Sequence, residues 1–387
     1  MLAIFRRLQW FPRSTPVLRA LVLLAITMPL TWLAEAAAAP KVYVGLFKDN
    51  AIAVLDTSAN RVQGTIPVPQ GPHGIVITPD GRKVYVSSDG SSTVSVIDTQ
   101  TDKVVKSIEV GPNPHGLAIS SDGREVLVSA FGTNQALLMD TSTDQIVKRL
   151  PVPMPHNSVL SPDGQRAYVG SQQQGATAVV ILDLVQGAQV GTVPLDKTPR
   201  ALALSPDAKQ LYVTVAGADA VQVVDLARQR VVGQIPVGAS PHHVMMLPNG
   251  NAGLVVSQGP GTLEFFDPTR HTVSRTVRVG TNPHWLAVSS EGRAAYVSNE
   301  GSQDISVVDV ASGTVTATVQ VGNAPRKIVV QPGPVSQGTT PALLPPSTLE
   351  ESSLLDLIGV HTIFVQILSL TDYTHNCLWD SPSLFCV

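Results

Sequence analysis

Lys83–Gly123 reads KVYVSSDGSSTVSVIDTQTDKVVKSIEVGPNPHGLAISSDG, and this stretch decides the fold. Four short runs within it alternate apolar and polar residues and are rich in Val and Ile: Lys83–Ser87, Thr93–Asp98, Val104–Val110 and Gly116–Ser120. Gly, Asp and Ser separate them. A period of two broken by such residues marks half-buried strands joined by tight turns. The same unit is then copied along the chain. Its YV or LV pair recurs at Tyr43, Tyr85, Leu127, Tyr168, Tyr212, Leu254 and Tyr296, at intervals of 41–44 residues. An aspartate recurs at Asp56, Asp98, Asp140, Asp183, Asp225, Asp267 and Asp309, where capping of the following turn explains it. Turns such as TPDG (Thr78–Gly81), SSDG (Ser120–Gly123) and SPDG (Ser161–Gly164) close the apolar runs.

Four strands in roughly 40–45 residues is the size of one propeller blade. A lone four-stranded sheet cannot bury both faces, whereas seven stacked around an axis bury a continuous interior. The pattern opens at Lys41 with KVYV, the second strand type of a unit, and stops at 326–331 with RKIVVQ, the first type. The last strand therefore completes the first sheet and no free edge remains at the seam. The expectation is an all-β, seven-bladed β-propeller over residues 40–333. It has four antiparallel strands per blade, is closed by the last strand joining the first blade, and needs no helix.

The ends differ from this body. Residues 1–39 read as a signal peptide: Arg6, Arg7, Arg13 and Arg19 precede the apolar Ala20–Leu33, and Ala34-Glu35-Ala36 offers a cleavage site. This fourteen-residue stretch is short of the roughly 20 residues that span a bilayer. Export to the periplasm or the cell exterior is expected, with no transmembrane span in the mature protein. Residues 334–387 form a linker and an atypical tail, with no Lys or Arg, five acidic residues and both cysteines, Cys377 and Cys386. A poorly ordered appendage is expected there. The 387-residue chain is 43% hydrophobic and 14% charged, with a formal charge of −3, which excludes a disordered chain. Residues 41–333 carry 22 basic and 23 acidic side chains, so the electrostatic footprint of a nucleic-acid binder is missing. A monomer is expected.

The unit quoted above resembles the YVTN-family β-propeller repeat of exported bacterial proteins, and the resemblance extends over all seven copies. It implies a seven-bladed propeller. It implies no single activity, because such propellers host lactonases, lyases, oxidoreductase subunits and plain binding scaffolds.

One constellation stands out. Each unit carries Pro followed by His or Arg just where its innermost strand begins: His73, His115, His156, Arg200, His242, His284 and Arg326. Five of the nine histidines occupy this one repeat position. A closed ring of blades would gather all seven side chains around the top of the axis, each launched from a backbone stiffened by proline. Three readings stand side by side. The residues are a copied consensus with no ligand. Alternatively, Arg200 and Arg326, with partly protonated histidines, bind a small anionic or polar ligand, or a protein partner, at the axial top face. Or His73, His115 and His156 hold Cu or Zn in a propeller enzyme of lyase, lactonase or oxidoreductase type. Propeller enzymes with a copper-holding axial His ring are similar in outline, but Arg200 and Arg326 depart from that pattern. Asp49, Asp89, Asp219, Glu300 and Asp304 lie in top loops, placed to pair with the arginines or to act as solvated turn residues. The sequence has no G-x-S-x-G, Walker, G-x-G-x-x-G, H-E-x-x-H or C-x-x-C motif, so nucleophilic hydrolysis and nucleotide chemistry lack support.

Overall fold

The computed structural model describes residues 39–333; the signal peptide expected over 1–39 and the tail expected over 334–387 lie, but for Ala39, outside the described residues. Twenty-eight strands form seven antiparallel four-stranded sheets. Six sheets use four consecutive strands each: β4–β7 (72–109), β8–β11 (114–151), β12–β15 (155–194), β16–β19 (199–236), β20–β23 (241–278) and β24–β27 (283–320). The first sheet joins the two ends of the described chain. Its order is β28 (Pro325–Val330), β1 (Lys41–Leu46), β2 (Ala51–Asp56), β3 (Arg61–Pro67). Val42, Tyr43 and Val44 of β1 face Val330, Val329 and Ile328 of β28, and Gln331 N–H donates to the Lys41 carbonyl at 2.7 Å.

The ring is closed. The inner strands β4 (Pro72–Ile77), β8 (Pro114–Ile119), β12 (Pro155–Leu160), β16 (Pro199–Leu204), β20 (Pro241–Met246) and β24 (Pro283–Val288) touch in turn, and β24 meets β28, which meets β4. This is the seven-bladed β-propeller that the repeat arithmetic requires. The core lies between neighbouring sheets, as a two-faced blade demands. Tyr85, Val94 and Val96 of one blade pack with Val126, Val128 and Leu137 of the next. The seam is sealed in the same way, with Val42, Val44 and Leu46 against Tyr296, Ile305 and Val307.

Polar ties on the bottom face reinforce individual junctions. Lys41 Nζ donates to Asp102 at 2.7 Å and Tyr43 Oη to the same carboxylate at 2.8 Å. Lys83 and Tyr85 repeat the arrangement on Asp144, one blade on. The repeated aspartates cap turns as expected: Asp98 Oδ1 accepts the Thr101 N–H at 2.8 Å. The expectation of no helix meets one small departure, a single 3₁₀ turn at Phe131–Thr133. No helix of the described residues is long and apolar enough to cross a membrane.

Candidate axial site

A β-bulge aims the axial side chains. In β4, Pro72 pairs with Ser88 and Gly74 with Ser87, so His73 is an extra residue with no partner. The same slip leaves Arg200, His242 and His284 as the extra residues of β16, β20 and β24. An extra residue bends its strand and redirects its side chain, here into the hub. The strand-opening proline supplies no N–H to the ladder, so the irregularity sacrifices no donor. Gly74 and Gly116 permit the close approach that follows: a Cβ on either would collide with the carbonyl of His115 or His156 in the next blade.

The seven predicted residues open the seven inner strands, and their five imidazoles gather in two close groups. His73, His115 and His156 converge, with one ligand nitrogen from each lying within 4.8 Å of the other two. Their ring centroids are 3.9 Å apart for His73 and His115, and 4.3 Å for His115 and His156. His242 and His284 form a separate pair at 3.9 Å, and His284 reaches back to His73 at 6.3 Å.

Burial holds these imidazoles neutral. It pushes His115 down to about 2 and His156 down to about 3, with nearby cationic groups acting in the same direction. His73, His242 and His284 are driven well below the ordinary histidine range for the same reason. Burial thus works against the partial protonation expected of histidines at an anion site. His156 Nδ1 lies between an acceptor and a donor, 3.2 Å from the Arg200 carbonyl and 3.0 Å from Asn157 Nδ2, so these contacts hold the ring in place without selecting one tautomer. Nδ1 of His73, His115, His242 and His284 is buried with no partner among the described residues.

The two arginines have different surroundings. Arg326 is neutralised: it donates to Glu300 Oε1 at 3.2 Å from both Nε and Nη2, and stacks on Phe47 with Cζ 3.5 Å from the ring centroid. Arg200 meets only neutral acceptors, Ser240 Oγ at 3.1 Å and Gln258 Oε1 at 3.3 Å, and no carboxylate of the described residues pairs with it. Burial presses its guanidinium below the usual arginine range. Of the acidic candidates, Asp89 lies 3.9 Å from His115 Nε2, at the edge of a cavity of about 420 Å³ lined also by Phe47, Gln70 and Asn113. Asp49 holds Asn323 at 2.7 Å, Asp304 is buried against Asn299 at 2.6 Å, and Asp219 lines a separate cleft.

Sequence reading missed a second tier. The residue after each ring position is, in order, Gly74, Gly116, Asn157, Ala201, His243, Trp285 and Lys327. Lys327, fully buried on β28, reaches Asn157 Oδ1 on β12, three blades away. Its ammonium also sits over the Trp285 ring at 4.4 Å, and His243 stacks on Trp285 at 3.5 Å with 19° between planes. Burial pulls Lys327 down to about 7. These residue types share no chemistry, so no repeat signal marks them. Only the fold gathers them.

Comparison with known proteins supplies a family. The model of the cytochrome D1 heme domain matches residues 42–246, just over half of the chain. A search of curated proteins finds no match. Among solved structures, hydrazine synthase from Kuenenia stuttgartiensis is similar with 20% identity and a TM-score of 0.61, over 67% of this chain and 90% of that one. The dihydro-heme d1 dehydrogenase NirN in complex with DHE is similar with 19% identity and a TM-score of 0.58, over 78% of each chain. A functionally unknown protein from Desulfotomaculum acetoxidans DSM 771 has 15% identity and a TM-score of 0.65, over 76% of this chain and all of that one. At such identities the likeness establishes the fold alone.

Proposed function

The chain belongs to the cytochrome D1 heme domain family, and from that premise we propose that it is an exported, periplasmic or extracellular, ligand-binding propeller whose hub holds a small anion together with a metal ion. In this reading His73, His115 and His156 ligate copper or zinc, and Arg200 takes the anion. The observation that carries it is the convergence of three neutral imidazoles within 4.8 Å. Imidazole nitrogens bind zinc at about 2.0–2.1 Å, which puts them about 3.4 Å apart around a tetrahedral ion. The cluster therefore needs only a small contraction. The Arg200 carbonyl and the Asn157 amide position the His156 ring, as outer partners position a metal-bound histidine. Bound there, the ion would polarise a coordinated oxygen.

The group that gives the family its name fits less well. A haem iron offers one axial position on each face, so three convergent nitrogens exceed its demand. The imidazoles of His73 and His115, 3.9 Å apart, leave no slot for a macrocycle between them. The axial residues suit a bare ion.

Arg200 supports the anionic half of the reading. A half-buried guanidinium without a counter-ion is costly, and a carboxylate or phosphate would supply both charge and bidentate acceptors. Asp89, beside His115, is placed to hold a proton of the ligand at its carboxylate; burial raises it above the ordinary aspartate range. The test is metal analysis of the purified protein after exposure to Zn(II) or Cu(II). One equivalent is expected in the wild type and none in H115A, with unchanged melting. A second, metal-free reading gains from the same lone guanidinium. It predicts no metal uptake, and thermal stabilisation by phosphate or dicarboxylates that vanishes in R200Q.

A further inference from the structure

We infer that Lys327 makes the hub bind metal and anion as a pair: a divalent ion is accepted at His73, His115 and His156 only together with a small carboxylate or comparable anion. The inference rests on the metal reading above and adds the rule governing occupancy.

The donor set is three uncharged imidazoles, so an ion bound there keeps its full double charge. Among the described residues, the trio's near carboxylate is Asp89, which lies against His115 alone. Cationic groups are better represented. Lys327 Nζ is fixed by Asn157, the neighbour of His156 in β12, and by the face of Trp285. Asn157 Nδ2 in turn lies 3.0 Å from His156 Nδ1, so the ammonium is one side chain removed from a ligand ring. Arg200 adds a second cation with no carboxylate partner. Glu300 already neutralises Arg326.

A buried ammonium near a divalent ion costs that ion well over tenfold in affinity at an effective dielectric of ~20. An anion bound to the ion and to Arg200 removes most of that repulsion. Each ligand then raises the affinity for the other by the same factor. Asn157 and the stack of His243 on Trp285 hold the ammonium in place, so below its lowered titration range repulsion is relieved by a counter-ion.

The experiment is calorimetric titration of the full-length protein with Zn(II) at pH 5.5, well below the value of about 7 to which burial pulls Lys327, without and with saturating formate. Variants are K327Q, whose amide can still donate to Asn157, and H115A. The wild type is expected to bind Zn(II) at least tenfold more tightly with formate. K327Q is expected to bind Zn(II) tightly without formate and to lose most of the coupling, while melting no lower than wild type. Equal wild-type affinity with and without formate, with Zn(II) binding still lost in H115A, overturns this inference and leaves the metal reading intact. Release of one proton in place of formate dependence, read by repeating the titration in buffers of different ionisation enthalpy, also overturns it. Zn(II) binding that survives in H115A overturns the metal reading itself.

Discussion

Acidifying the metal-free protein from pH 7 to pH 5 should strip it of stability by way of the hub histidines. In the unfolded chain an imidazole titrates near 6.5, so it is mostly neutral at pH 7 and mostly protonated at pH 5. In the native state burial holds His115 at about 2 and His156 at about 3, so both stay neutral throughout. The unfolded state binds more protons over this range, and stability must fall as pH falls. Each of the two contributes a loss of about 2 kcal/mol between pH 7 and pH 5, or about 4 kcal/mol together. That is a large part of the ~5–15 kcal/mol that ordinarily holds a domain folded. His73, His242, His243 and His284 shift in the same direction and steepen the fall. Most depressed carboxylates, such as Asp140 at about 2, titrate below this window and do not confuse it. The assay is urea unfolding in chelator at pH 7, 6 and 5, for wild type and for H115N/H156N. The double variant should lose about 4 kcal/mol of the pH dependence. A wild-type midpoint that stays flat or rises toward pH 5 would refute the claim that the hub imidazoles are buried and neutral.

Three further expectations follow from the structure. Replacing Lys327 by Met removes a buried ammonium and should leave the metal-free protein as stable or about 1–4 kcal/mol more stable, by denaturant titration; a clear loss would mean the Asn157 and Trp285 contacts outweigh desolvation. Truncation after Gly333 should leave melting unchanged, whereas truncation after Asn323 removes β28 and should lower the melting temperature by more than about 10 °C, since the first sheet loses its inner strand; equal melting of the two would contradict the closing strand. Gly116→Ala puts a methyl against the His156 carbonyl and the Asn157 side chain, so it should cost about 1–3 kcal/mol and weaken Zn(II) binding together; tight zinc binding with unchanged stability would show that this close approach does not position the trio.

The sequence carried the architecture almost whole, because architecture here is periodic. Tyr43, Tyr85 and Tyr212 lie fully buried between sheets where the YV pair placed them, and RKIVVQ closes against KVYV as the strand count requires. The ring position was legible for the same reason: Pro-His and Pro-Arg recur. Three things were not. Charge state depends on burial, and burial depends on how closely β4, β8 and β12 approach, which periodicity does not encode. The different roles of Arg200 and Arg326 depend on Glu300 and Phe47, far from Arg326 in the chain or in another blade. Lys327, Trp285, His243 and Asn157 break the repeat in different ways, and departures from a pattern acquire meaning only once neighbours are known.

The closing strand has a consequence for the order in which the protein acquires its properties. The three convergent imidazoles come from three consecutive blades of the first half of the chain, whereas the buried Lys327 sits on β28, the last strand of the propeller. A chain synthesised as far as its fourth blade holds all three donors and still lacks that lysine. If the hub takes an ion as proposed, its pairing with an anion belongs to the finished circle alone, and a nick that frees the final strand should abolish it.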